Sequence, residues 1–465
     1  MKAQHRAMLA LALALALLGG QLRPSLAAPL PAPAADYRRD AAPLPHRNLP
    51  IVWRGINILH LTDVHSFIAG NRHEGVDADY GDLTSFVRHL HETADARGVD
   101  LFVLNTGDLV DGTGMSDATP VAGEFLAPIL QRIPYDGLTI GNHELYEDST
   151  VDNLRDSGFL GTFGERVVTS NQRYTATGAP IGGSQATVLE GRNGARLLAF
   201  GFLFDFTGTS PGTVVERVAD VVLEPWFTEA VATAADTVDG IVIMAHMGWL
   251  DSAIEIIRSA IRAAAPATAA ELPIAFLAGH THVRIFRRLD DHAAVLESGR
   301  YFDCIGLLSF TPAEQQTWFD FDYLTTNVEN LQLLSERDAV SFPTADGELV
   351  KEEIRAVREK FGLDEVVGCT PVGVARWRRR EDLAQPDSLW RLALTEVIPS
   401  TVFTPPGNAS QILIAGSGGI RYDIFAGEVT RDDTVIVSPF RDQFHSFGGL
   451  SATEVGAVLD TLGAG

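Results

Sequence analysis

Five short apolar runs in this chain each stop at side chains that can bind a metal ion. Residues 57–62 lead into Asp63-Val64-His65, and residues 101–106 lead into Gly107-Asp108-Leu109-Val110-Asp111. Residues 138–140 lead into Gly141-Asn142-His143-Glu144, residues 241–245 into His246, and residues 274–278 into Gly279-His280-Thr281-His282. Runs of this length between turn residues read as buried strands. Segments with helical spacing lie between them, at residues 83–97, 125–131 and 252–265. The alternation predicts α/β layering with buried strands. In open α/β sheets ligands collect beyond the carboxyl ends of the strands, so one rim receives all five sets of donors. Five of the 13 His fall in these motifs, a concentration that chance does not account for.

Taken singly, each motif has an ordinary reading. Asp63-x-His65 suits a cap and a surface His, Gly-Asp is a turn, and one His after a strand is commonplace. In this order, each after a buried run, they point to a metal centre. Carboxylate oxygens and imidazole nitrogens suit Mn, Zn, Fe, Co or Mg, and the lack of Cys at these places disfavours a structural zinc site. Two such ions about 3.5–4 Å apart can clamp a phosphoryl group and activate a water for in-line attack. One carboxylate must then bridge them, and Asp108, after a glycine at a strand end, is placed to do so. The glycines at 107, 141 and 279 are expected to turn the backbone sharply so that the next side chain faces the ions. A further His near the phosphate can stabilise charge or protonate the leaving oxygen.

Charge narrows the partners. The 465 residues carry 36 Lys+Arg against 60 Asp+Glu, a formal charge of −24, which argues against a nucleic-acid backbone as partner. Small anions stay open, because a metal can hold a phosphate inside an acidic protein. Cys304 and Cys369 are too few for a disulfide scaffold; a single pair and two buried free thiols both fit.

The length predicts two domains, or three. Lys2 and Arg6, the apolar run 8–18 and the small residues of Ser25-Leu26-Ala27 have the three parts of a secretory signal peptide, residues 1–27. A Sec-type route to a secreted or periplasmic location follows, with no transmembrane anchor after cleavage. Residues 28–50 read as a Pro/Ala-rich arm. Residues 51–330 form the expected catalytic domain, with antiparallel strands closing it beyond Ala293 (residues 304–310 and 317–323). Residues 331–362 are a linker and connector helix ending at Gly362, and 363–465 a smaller unit. Asn408-Ala409-Ser410 fits a glycosylation sequon, which matters only in a eukaryotic secretory pathway.

These blocks, in this order, resemble the calcineurin-like metallophosphoesterase superfamily over about residues 56–325. The resemblance implies a four-layer αββα sandwich with a dinuclear site. It assigns Asp63, His65 and His282 to one metal, Asn142, His246 and His280 to the other, Asp108 to the bridge, and His143 to the phosphate-facing acid. The chain is most similar to secreted 5′-nucleotidases. Gly416-Ser417-Gly418-Gly419-Ile420-Arg421, Asp432-Asp433-Thr434-Val435 and Ser438-Pro439-Phe440 resemble blocks of the nucleotidase C-terminal α/β domain, here shortened. The resemblance implies that Arg421 meets substrate, and a guanidinium suits an anionic group. Phe440 is the candidate for base stacking, although a core role is the commoner one for such a residue. Three departures stand out. Gly416 replaces an Asn, Tyr146 replaces the Asp that pairs with the catalytic His, and the chain stops soon after Phe440. Either Glu147 or Asp148 is then the expected substitute for that Asp, or His143 is tuned in a different way.

The sequence therefore predicts an exported, dinuclear metal-dependent hydrolase of phosphate monoesters, with 5′-nucleotidase as its specific form and a small phosphorylated substrate as partner. The alternatives are a phosphodiesterase, nucleotide-sugar pyrophosphatase or protein phosphatase on the same site, and a non-catalytic binding protein. The block from Asp79-Tyr80-Gly81-Asp82-Leu83 through Thr106-Gly107-Asp108 also resembles secreted phosphoesterases of fungal type.

Overall fold

Strand β1 (Ile56–Leu61) is buried at every position, yet its neighbouring side chains enter different cores: Ile58 faces a second sheet, while Leu59 faces helices. That period-two partition makes a layered sandwich. The computed structural model describes residues 50–311, 316–370, 385–401, 419–440, 451, 453–454 and 456–458, all within the compact unit Pro45–Gly465. The signal-peptide and sequon segments, nearly all of the arm, and Gly416-Ser417-Gly418 lie outside these residues.

The first sheet has the order β13-β12-β1-β2-β3, with β2 (Asp100–Asn105), β3 (Gly137–Leu138), β12 (Cys304–Thr311) and β13 (Trp318–Thr325). Strands β1, β2 and β3 are parallel; β12 runs antiparallel to β1 and β13 antiparallel to β12. Two short strands, β4 (Gln172–Tyr174) and β7 (Thr213–Val215), pair with each other outside both sheets. The second sheet has the order β10-β11-β9-β8-β6-β5. Its strands are β5 (Ala186–Glu190), β6 (Arg196–Leu203), β8 (Gly240–His246), β9 (Ile274–Ala278), β10 (Arg284–Asp290) and β11 (Ala293–Ser298). Strands β6, β8, β9 and β11 are parallel, flanked by antiparallel β5 and β10.

Between the sheets, Phe102, Leu104, Leu308 and Phe310 pack against Leu197, Val242, Met244 and Leu277. Helix α1 (Tyr80–Arg97) covers the outer face of the first sheet through Leu83, Phe86, Val87 and Leu90. Helices α2 (Pro225–Ala234) and α3 (Ser252–Ala264) cover the second through Phe227, Val231, Ile254, Ile257 and Ile261. The expected αββα architecture is therefore present.

The differences have local causes. Helix α1 starts three residues before the expected Leu83 because Asp79 and Asp82 form a reciprocal capping box. The strand expected at 138–140 is only Gly137–Leu138. Strand β11 joins the second sheet parallel to β9, whereas β12 and β13 close the first. Residues 146–239, where the sequence reading places no element, contain β4, β5, β6 and β7. After α4 (Val328–Leu334), helix α5 (Ala345–Phe361) ends at left-handed Gly362, where the sequence places its stop. It also lies on α1, with Lys351 Nζ 2.6 Å from Asp82, so the connector completes the outer helical layer.

The described part of the C-terminal unit holds β14 (Val366–Thr370), paired with β15 (Gly427–Thr430), and helix α6 (Arg431–Val437). Asp432 and Asp433 form the first turn of α6. Asp432 accepts from the Gly114 amide and from Arg358. Both thiols are free, but only Cys304 is buried; Cys369 is exposed on β14, which corrects the expectation of two buried thiols.

Helices α1 and α5 touch backbone to backbone: a Cβ at Gly81 would stand 2.3 Å from the Gly347 carbonyl. Gly81→Ala is expected to force the helices apart and lower stability by about 1–3 kcal/mol, as overpacking does. Denaturant unfolding at constant m-value checks it.

Candidate metal centre

Positive backbone angles mark the site before any ligand is considered. Ten non-glycine residues among those described have φ above zero, and six of them are Asp63, His65, Asp108, Asp111, His280 and His282. Ser66, Tyr301 and Phe302 adjoin them in the fold or the sequence, and only Glu336 lies elsewhere. A left-handed residue other than glycine costs about 1–3 kcal/mol and persists only where its surroundings hold it.

The loop after β1 is held by its own backbone, with the Asp63 and His65 amides donating to the Gly107 and Asp108 carbonyls, and two buried glutamates hold the other four loops. Glu144 is fully buried and accepts from four amides: Asp108 N at 3.0 Å, Leu109 N at 2.7 Å, Val110 N at 3.2 Å and Gly141 N at 2.8 Å. It ties the loop after β2 to the loop after β3. Glu297, on β11 and also fully buried, accepts from Thr281 Oγ1 at 2.6 and 2.8 Å and from the amides of Trp249 and Val283. It ties the loop after β8 to the loop after β9. Burial pushes the pKa of Glu144 up to about 7 and that of Glu297 up to about 8. The N–H donors around Glu144 favour the charged form in return.

Within this frame the predicted ligands converge. Donor atoms of Asp63, His65 and His282 lie within 4.8 Å of one another, as do those of Asp108, His246 and His280. Asp108 Oδ2 is 3.6 Å from His65 Nε2 and 3.1 Å from His246 Nε2, so it stands between the two groups. His65 Nε2 and His282 Nε2 face each other at 3.2 Å. His65 Nδ1 donates to the Val110 carbonyl and His246 Nδ1 to the Thr106 carbonyl. A carbonyl can only accept, so both rings carry a proton on Nδ1 and face inward with Nε2. Asn142 Oδ1 and His246 Nε2 are buried without a hydrogen-bond partner. Orphaned acceptors and opposed lone pairs fit divalent cations, and the donors are all oxygen or imidazole nitrogen.

Burial, then the nearby His143, drives the His65 pKa well below its ordinary value, which keeps the ring neutral. Asp108 is held well below the carboxylate range: burial works against this, but His246 and His143 outweigh it.

The glycines act differently from expectation. Gly107 does turn left-handed, at φ 97°. Gly141 and Gly279 do not; they permit close approach. A Cβ at Gly141 would lie 2.1 Å from Asp108 Oδ1, and one at Gly279 would lie 2.3 Å from Thr62 Oγ1.

His143 stands beside the ligands, its Nε2 3.9 Å from Asp108 Oδ2. Its Nδ1 is 2.8 Å from Asp111 Oδ2. The carboxylate partner is thus Asp111, not Glu147 or Asp148: Asp148 accepts from the Gly212 amide, and Tyr146 Oη accepts from Asn142. Asp111 was legible as the second acid of Gly107-Asp108-Leu109-Val110-Asp111. Burial disfavours a charged His143, yet Asp108 and Asp111 raise its pKa above the ordinary value. Two further residues escape the sequence motifs. Phe204, after β6, stacks on His280 at 4.3 Å, and Tyr301 packs edge-on to His65 and His282.

Arg421 reaches the same place, with Nη2 3.3 Å from His65 Nε2. Phe440 is half-buried and not part of a core. Its ring lies 6.0 Å from His143 at 25°, and the Arg421 guanidinium carbon is 5.6 Å from its centroid. A cavity of about 260 Å³ opens over Asp108, Asn142, His143, His280, His282 and Arg421.

Glu144→Gln is expected to place an amide NH2 against two of the four backbone donors. Leaving them unsatisfied costs about 1–3 kcal/mol each and releases both loops. Metal per chain, measured by mass spectrometry on the folded variant, should fall well below that of wild type.

Residues 56–284 match the calcineurin-like phosphoesterase family, and residues 375–465 match the NAD nucleotidase C-terminal domain. A protein of Arthroderma benhamiae named "Secreted protein" is 30% identical over 462 residues, covering 90% of this chain and 68% of the relative. A crystal structure of a 5′-nucleotidase from Candida albicans superposes with a TM-score of 0.78 at 30% identity, over 85% of this chain and 73% of that one. A 5′-nucleotidase precursor from Thermus thermophilus shares the fold, with a TM-score of 0.56 at 16% identity over 83% of this chain and 73% of its own. The chain belongs to the calcineurin-like metallophosphoesterase superfamily and, within it, to the 5′-nucleotidase-like hydrolases.

Proposed function

We propose that this protein hydrolyses phosphate monoesters, with a 5′-nucleotide as its specific substrate. The observation that carries the reading is one cavity facing inward-turned acceptors, the His143–Asp111 pair and the Arg421–Phe440 pair. Asp63, His65 and His282 would hold one divalent ion and Asn142, His246 and His280 a second, with Asp108 shared. Such ions supply Lewis-acid activation of water and neutralise phosphoryl charge.

The remaining chemistry belongs to the chain. Asp111 fixes the His143 ring and favours its charged form, so that Nε2 can stabilise the phosphoryl group or give a proton to the leaving oxygen. Arg421 suits the phosphate oxygens, and Phe440 beside it offers a flat apolar face to a base.

Export is part of the proposal. The charged, apolar and small-residue segments of residues 1–27 support it, as do the names of the Arthroderma and Thermus relatives. Among the described residues no helix is long and apolar enough to cross a membrane. We assign 1–27 to the signal, 28–50 to the arm, 51–330 to the catalytic domain, 331–362 to the linker and connector helix, and 363–465 to the C-terminal unit. The two family matches fall inside the catalytic domain and the C-terminal unit so assigned.

Asp108→Ala should abolish turnover. His143→Ala should lower kcat by about 10²–10⁴-fold with metal content unchanged; loss of metal instead would make His143 a ligand. Asp111→Asn should lower kcat in the same direction and add little in the His143→Ala background. The substrate is tested with Mn, Zn, Mg and Co separately, on p-nitrophenyl phosphate, its bis ester and AMP. Hydrolysis of AMP well above the generic monoester is expected. Generic activity with AMP ignored would remove the nucleotidase assignment and keep the centre.

A further inference from the structure

A second arginine lines the cavity, and it comes from the catalytic frame. Arg300 lies in the turn between β11 and β12, after left-handed Gly299. This turn is pinned to the metal-ligand loops: the Tyr301 amide donates to the Asp63 carbonyl at 2.8 Å, and the Gly299 amide to the Val283 carbonyl at 2.9 Å. Tyr301 and Phe302 both hold left-handed φ, at 54° and 57°. The Arg300 guanidinium carbon sits 4.5 Å from the centroid of the Tyr301 ring, which itself packs on His65 and His282.

The acids nearby are already engaged. Asp303 Oδ2 takes Arg284 at 2.7 Å, and its Oδ1 accepts the Arg300 main-chain amide at 3.2 Å. Glu74 accepts from Tyr422 Oη at 2.9 Å. Among the described residues the Arg300 guanidinium has no hydrogen-bond acceptor and no carboxylate within ion-pair distance. Arg421 likewise lacks a carboxylate, and its side chain has one hydrogen bond, to His65. Glu74 and Asp303 act on Arg300 only through space, so this half-buried guanidinium, with no ion pair of its own, is left to take an anion from the cavity.

We propose that Arg300 is a second substrate-anion contact, and that Arg300 and Arg421 together select a dianionic terminal phosphate over a monoanionic diester. The inference rests on the phosphomonoesterase reading and deepens it. Arg421 is supplied by the C-terminal unit; Arg300 is carried by the turn that links the two sheets of the catalytic frame. The phosphate contact therefore does not depend on the C-terminal unit alone. Arg300 is approached along the Tyr301 ring, which orients the guanidinium plane and leaves its N–H edge for phosphate oxygens.

The test uses the full mature chain loaded with Mn. Inorganic phosphate and dimethyl phosphate are titrated calorimetrically into wild type, Arg300→Met, Arg300→Lys and Arg421→Met. Arg300→Met keeps an apolar stem on Tyr301 and removes the charge. Phosphate affinity is expected to fall by about tenfold or more, as for a lost charged hydrogen bond, with melting temperature and metal content unchanged. Arg300→Lys should recover part of the loss. Dimethyl phosphate should bind weakly to every variant. Wild-type phosphate affinity in Arg300→Met, or equal preference of wild type for the two anions, overturns the proposal. If phosphate binding depends on Arg300 yet no monoester is hydrolysed, the anion site stands, and the functional reading falls together with the role of Arg300 toward a substrate.

Discussion

Six inward-facing donor residues on left-handed backbone cannot hold themselves together. Their lone pairs repel, and their φ angles are unfavourable. Glu144 and Glu297 answer this constraint, each collecting donors from two strand-end loops. One glutamate serves the first sheet and the other the second. A carboxylate with several N–H or O–H donors is strong in a dry interior and costly to lose, so the two clamps transmit the rigidity of the sheets to the loops. The arrangement also explains why Gly141 and Gly279 are glycines: the loops lie too close for a Cβ.

The two sheets then divide the site between them. The first supplies Asp63, His65, Asp108, Asn142 and His143; the second supplies His246, His280 and His282. Neither set is complete alone. The apolar layer between the sheets, Phe310 and Met244 among its members, is what aligns the rims. In a close-packed interior a shift of one sheet against the other is resisted by many contacts at once. The C-terminal unit adds Arg421 and Phe440 above the rim. Its α6 helix is tied down by Asp432, which accepts from Gly114 and Arg358, and by Asp433, which meets His73 at 2.8 Å.

Much of this was legible in the chain because the ligands are local signals. A run of three to six residues, mostly apolar, followed by Asp, Asn or His at a turn is visible in a window of ten, and all the candidate ligand motifs lie in such windows. Tyr146 was a misleading local signal. Its position beside His143 directs attention to the acids that follow, Glu147 and Asp148, whereas Asp111 reaches His143 from another strand end. Phe440 misled for a similar reason: an apolar residue after Pro reads as core, and only the packing of the C-terminal unit puts it beside His143 and Arg421.

The sequence by itself determined the layering, the ligand types and the order in which they come, because hydrophobic periodicity and donor chemistry are properties of short segments. The tertiary structure alone decided which acid orients His143, which glutamates brace the loops, and that Arg300 stands unpaired over the cavity. Each of these depends on contacts between residues tens to hundreds of positions apart. Such contacts follow from how two sheets and a C-terminal unit pack, and no local pattern encodes them.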